Sequence, residues 1–388
     1  MADITFGSVN TFAETWADGL SVAMLDASHF VAAYRDRTDS FYGKARVGSI
    51  SGTTISYGAI NQFETFGIGA LDVKALDATH FVIAFKGDDN HAWAIIGEVS
   101  GTTISSYGTA VKFLAANCVS MSVAVLDATH FVIGYRDAGD SNHGYAIIGA
   151  TSATTISSYG TPVEFNAAGS AYVCVAVLSS TNFAVAYEDE GDSSHGKAII
   201  GATSGTTISS FGSAVEFSSA AAVDFLSAAA LDSTHFVISY QNEGDSDHGY
   251  AIIGLTSGTT ISSFGTAVEF NGAATSYISV TEIDSANFVV AYRDSDTYGK
   301  AIAGLLSGTT IDSYGTEATF YSESAYYQST AMLTSTHFVI GYMDNADNDY
   351  GKAIIGELSP AGFSGKVIAV ASPAKVNGVA SPAKVMGV

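Results

Sequence analysis

Basic residues are scarce in this chain. Fifteen lysines and arginines stand against 38 aspartates and glutamates, for a net charge of −23. A surface of that sign repels phosphate backbones and anionic lipid headgroups, which argues against nucleic-acid and membrane-surface partners. Cysteine is nearly absent, with only Cys118 and Cys174, so a disulfide-held scaffold is excluded. Runs of 18 apolar residues are missing, and with them any expectation of a membrane-inserted helix. The opening "MADITFGSVNTF" has neither a basic start nor an apolar core, so no signal peptide is expected. Prolines number 4, and few stretches show helical periodicity.

Strand and turn residues are plentiful instead. Apolar residues make up 47% of the chain, glycines number 40, and only 14% of residues are charged. Such a chain can bury a large all-β core. The phrase "LDATHFVIGYRD" recurs with a His or Asn anchor at His29, His80, His130, Asn182, His235, Asn287 and His337. The steps are 51, 50, 52, 53, 52 and 50 residues, so there are seven copies of one unit. In the third copy the unit reads "MSVAVLD", "HFVIGYRD", "GYAIIGATS" and "TTISSYGTPVEF", here strands A to D. Short turns separate the strands, which makes them antiparallel neighbours in a four-stranded meander.

The seventh copy has A, B and C, but after "YGKAIIGELS" no D follows. The missing piece opens the chain: "DITFGSVNTF" (3–12) carries the same aromatic-Gly pair and a Phe six positions after the aromatic. A linear stack gains nothing from that exchange, whereas a closed array needs it. The expected fold is therefore all-β, a seven-bladed β-propeller over residues 1–359. Residues 3–12 would supply the outer strand of the last blade, and 360–388 would form a separate tail.

The meander places the A–B and C–D turns on one face, where "LDATH" and "SGTTIS" hardly change. The anchor His suits a turn hydrogen bond, because two copies replace it by Asn and a zinc site would not accept that swap readily. The B–C hairpins and D-to-A connections share the other face, where the copies differ. Their aromatics, Trp16, Phe66, Tyr172, Phe225, Tyr277, Tyr326 and Tyr327, are candidate ligand-binding residues, rings suited to stacking on sugars. The same rings also suit filling the gaps between blades.

The hairpins on this face are acidic, and the pairs Asp137/Asp140, Asp189/Asp192 and Asp344/Asp347 are candidate calcium ligands. They partly resemble the calcium hairpins of integrin-type propellers, without that family's D-x-D-x-D-G-x-x-D loop. Asp, Asn, Ser and Gly are equally ordinary turn residues. Sialidase boxes (S-x-D-x-G-x-T-W), G-x-S-x-G, H-E-x-x-H and phosphate loops do not occur. His91, His143, His195 and His248 repeat at one hairpin position, whereas an active site such as that of a polysaccharide lyase breaks symmetry.

The end of the chain, "VASPAKVNGVASPAKVMGV" (370–388), gives a nine-residue motif twice. It is similar to the "AKVNGVA" repeats of phage tail and virion proteins. The "LDSTHF…AIIG…SGTTIS" unit resembles propeller repeats of environmental bacterial and phage sequences. The resemblance implies an extracellular or virion-associated part, with the tail as its assembly segment. Together these readings predict a non-enzymatic module that binds a glycan or a surface protein. A carbohydrate-active enzyme and a purely structural virion hub are the alternatives.

Overall fold

The computed structural model describes residues 3–219 and 221–359, and the expected tail lies outside them. It is all-β, a seven-bladed propeller. Blade 3 is representative, with Cys118–Asp127 (A), His130–Asp137 (B), His143–Ser152 (C), and Thr155–Tyr159 followed by Val163–Asn166 (D). A pairs with B, B with C, and C with both halves of D, all antiparallel. Two long strands, Asn10–Asp26 and Thr54–Ala75, run without a break from the D position of one blade into the A position of the next.

Closure follows the expected route. Ile4, Thr5 and Phe6 pair with Leu358, Glu357 and Gly356, and Asn10 and Thr11 pair with Ala353 and Lys352. The packing gives the same answer. Seven buried apolar clusters are each shared by two adjacent blades, including one between blades 7 and 1 built on Phe12, Tyr34, Val339 and Ile355. A linear stack of seven blades has six interfaces, so the seventh cluster closes the propeller. Side chains such as Phe131, Phe183 and Phe288 are fully buried there. Each such burial stabilises by about 1.5–3 kcal/mol.

The innermost strands are also stitched around the axis by side chains. The hydroxyl or carboxylate at one position of strand A accepts the backbone N–H of the next blade. Ser21 accepts from Val73, Asp72 from Val123, Ser122 from Val175, Ser227 from Val280, Ser279 from Thr330 and Ser329 from Val22, at 2.9–3.3 Å. In blade 4 the position holds Cys174, whose thiol donates instead to the carbonyl of Ala186 within its own blade.

The aromatic-Gly pair of strand D has a packing reason. A Cβ on Gly160 would sit 1.8 Å from the carbonyl oxygen of Thr206 in the next blade, and Gly58, Gly108, Gly212 and Gly265 make the same approach. The anchor histidines behave as expected from the His/Asn exchange. Asp127 accepts from the backbone and hydroxyl of Thr129, both at 2.7 Å, and lies 3.1 Å from Nδ1 of His130. In blade 6, Asn287 donates to Asp284 at 2.9 Å. Burial disfavours ionisation of Asp127, but the bonds from Thr129 and His130 outweigh it and hold its pKa below the usual value.

Candidate functional site

The axis of the propeller holds a cavity of about 630 Å³ lined by the A strands, among them Ser21, Asp72, Lys74, Glu282 and Gln328. Its hairpin-face rim is where the blades diverge. As each A strand begins, its pairing with B skips two residues. In blades 4 to 7 the first residue skipped is a bulky aromatic in the left-handed region: Tyr172 (φ 47°), Phe225 (φ 49°), Tyr277 (φ 51°) and Tyr327 (φ 55°). Counted two residues before the stitching side chain of strand A, the equivalent position is Gly19 at φ 53° in blade 1, and Ala70 and Ser120 in blades 2 and 3, where they are the second residue skipped and neither is left-handed.

A side chain in that conformation costs about 1–2 kcal/mol, least tolerably for a large ring. Blades 1 to 3 show that the fold does without rings at this position. The strained conformation turns the four rings toward one another. Centroids lie 5.7 Å apart for Tyr172–Phe225, 5.1 Å for Phe225–Tyr277 and 5.2 Å for Tyr277–Tyr327. Tyr326 joins this arc at 5.2 Å from Tyr277, with the guanidinium of Arg293 over its ring at 4.3 Å.

Polar groups stand at one end of the arc. Tyr172, Arg136, Glu188, Glu190 and Asp224 line a second cavity of about 430 Å³. Arg136 pairs with Glu190 at 2.7 Å, while its Nε is buried without a partner. Burial, and then the carboxylate of Glu243, push Asp224 up to about 6. Burial likewise raises Glu188. Carboxyl groups poised to donate or accept, beside an aromatic face, can hydrogen-bond hydroxyls of a stacked ligand.

Of the aromatics singled out in the sequence, Tyr172, Phe225, Tyr277, Tyr326 and Tyr327 come together. Trp16 and Phe66 do not join them. Trp16, 37% exposed, stacks under Arg37 at 3.9 Å, and Phe66 packs against Phe85 and Trp93. The carboxylates singled out for calcium meet a resident cation in two hairpins. Lys197 lies 2.8 Å from Asp189 and 2.6 Å from Asp192, and Lys352 lies 2.5 Å from Asp344 and 2.8 Å from Asp347. In the third hairpin Asp137 accepts from the backbone of Gly139 at 2.8 Å, and Asp140 accepts from the Tyr145 hydroxyl at 2.5 Å. In two of the three hairpins a single lysine thus bridges the aspartate pair and leaves it one negative charge. The signal for this was present in strand C, where "HGKAIIG" and "HGYAIIG" alternate between copies.

No protein-family model and no curated protein sequence matches the chain. Solved structures do. A lectin from Burkholderia pseudomallei superposes with a TM-score of 0.61 at 9% identity, covering 89% of this chain and 96% of its own. A protein of unknown function from Dyadobacter fermentans gives 0.56 at 13%, covering 92% and 99%. A mutant NanB sialidase from Streptococcus pneumoniae gives 0.48 at 11%, covering 92% and 71%. At such identities the first two likenesses establish the propeller fold that this chain shares with them.

Proposed function

We propose that the protein is a carbohydrate-recognition module that stacks neutral sugars on the aromatic arc of its hairpin face. The observation that carries this reading is the set of four aromatic rings held in left-handed backbone, at a position the other blades fill with Gly, Ala or Ser. A fold that accepts small residues there has no structural need for strained rings, so the strain points to function. Tyr and Phe offer apolar faces to the C–H side of a pyranose, and Arg136, Glu188 and Asp224 supply polar partners for its hydroxyls. The net charge of −23 favours a neutral glycan over an acidic one. That a protein of the same fold is a lectin supports the reading. The resemblance of the 370–388 repeats to phage-tail repeats supports a setting on a virion or cell surface.

A glycan array probed with the full chain, repeated with Tyr277→Gly, tests the proposal. Signal on neutral oligosaccharides that the variant loses supports it, and an array without signal overturns it. A second reading, a carbohydrate-active enzyme, is favoured by the raised Asp224 and Glu188 beside Tyr172. Polysaccharide turnover that Asp224→Asn abolishes would establish that reading, and its absence leaves the binding module.

A further inference from the structure

Outside the rim, the same point of each blade poses a charge problem that five blades solve with lysine. In blade 1, Lys44 lies 2.9 Å from Asp36 and 2.7 Å from Asp39. In blade 2, Lys112 reaches Asp89 at 3.4 Å. Blade 4 uses Lys197 and blade 7 uses Lys352, as described above, and in blade 6 Lys300 lies 3.5 Å from Asp294 and 2.6 Å from Glu317. In blades 3 and 5 the strand C residue is Tyr145 or Tyr250. Among the described residues, no lysine or arginine reaches Asp140, Glu164, Asp245 or Glu269.

Blade 5 closes a ligand set around the place where the ammonium is missing. Donor atoms of Asp245, His248 and Glu269 all lie within 4.8 Å of one another. Nδ1 of His248 is 3.6 Å from Asp245 Oδ2 and 3.2 Å from Glu269 Oε2. The Tyr250 hydroxyl donates to Glu269 at 3.3 Å and also to Asp245. Blade 4 brings Asp192, His195 and Glu216 equally close, but there Lys197 already holds Asp192. Blade 3 has the same four residue types with Nδ1 of His143 3.9 Å from Asp140, a more open set. Among the described residues, blade 5 alone combines the closed set with no resident cation.

We propose that blade 5 binds a divalent transition-metal cation of the Zn²⁺ class, with Asp245, His248 and Glu269 as ligands and Tyr250 at the edge of the site. The cation would do there what the lysine ammonium does in five other blades. An imidazole nitrogen beside two carboxylates selects borderline cations over Ca²⁺ and Mg²⁺, which take oxygen ligands.

Isothermal titration of the full chain with ZnCl₂ at pH 7.5, supported by the visible spectrum of Co²⁺, tests this. Expected is an equivalent of Zn²⁺ that His248→Ala removes or weakens at least tenfold. Tyr250→Lys should remove the same equivalent while the metal-free melting temperature holds, because it installs the residue that blades 1, 4, 6 and 7 carry there. Lys197→Tyr should add an equivalent in blade 4. Absence of Zn²⁺ binding by folded wild-type chain overturns the proposal. So does binding that is unchanged in His248→Ala and Tyr250→Lys, or Ca²⁺ binding as strong as Zn²⁺ binding.

Discussion

The two faces of this propeller are built from the same repeat and obey different constraints. On the A–B turn face each carboxylate is consumed by its own turn, as Asp127 is by Thr129 and His130, and the strand D glycines Gly7, Gly58, Gly108, Gly160, Gly212 and Gly265 abut a Thr carbonyl of the next blade. Exchange there is confined to residues that keep the bond, as when Ser179 and Thr334 accept the turn N–H groups in place of Asp, so the copies stay close to one another. On the hairpin face the position that enters strand A holds Gly19, Ala70 or Ser120 in three blades and a left-handed Tyr or Phe in four. That face tolerates several residues and spends strain on rings. Residues that repeat satisfy local backbone, and residues that vary are free to recognise something else.

That contrast can be broken by substitutions on either side. The largest effect is expected from Gly160→Ala on the turn-face side of strand D, where the added Cβ meets a backbone oxygen at 1.8 Å. Denaturant titration should show a loss of about 2–3 kcal/mol, with glycan binding unchanged in what remains folded. Next comes Tyr277→Gly on the other face. It should lower affinity for the glycan by roughly 10–100-fold, since stacked aromatic contacts carry about 1–3 kcal/mol. Its folding stability should move by less than about 1 kcal/mol, because relief of the left-handed strain offsets lost ring contacts. Asp127→Ala should cost about 1–2 kcal/mol of stability, read by thermal melting, and leave binding untouched.

The smallest expected effect concerns pH. Burial and Glu243 raise Asp224 from 3.8 to about 6, so the folded chain keeps a proton that the unfolded chain has released. Stability from this group is therefore fully present below pH 3.8 and is lost as pH rises through about 6. Asp224→Asn should remove that loss, so its melting temperature should gain on wild type between pH 4 and pH 7. A difference that stays constant across that window would show that Asp224 does not titrate there.

Much of the architecture was legible because it is written in the repeat. The D-type fragment "DITFGSVNTF" announced closure, and pairing of Phe6 with Gly356 realises it. The His-to-Asn exchange at Asn182 and Asn287 announced a turn anchor, and Asn287 does bond Asp284. Through-space features were less legible. The left-handed bulge that gathers Tyr172, Phe225, Tyr277 and Tyr327 depends on how A enters its pairing with B, so Trp16 and Phe66 looked equivalent to them from spacing alone. The lysine eight residues after Asp189 or Asp344 bonds the acidic hairpin, a partner that the hairpin sequence by itself does not announce. Glu269 joins His248 across 21 residues, a contact made only when strand D folds back on C.

Recognition by the aromatic arc is the proposal on which the two-face contrast turns. Titration of wild type and the double variant Phe225→Gly/Tyr277→Gly with the oligosaccharide giving the strongest array signal tests it directly. Saturable binding by wild type, lost in a double variant with an unchanged melting temperature, is the predicted result. Equal affinity in both proteins would contradict it.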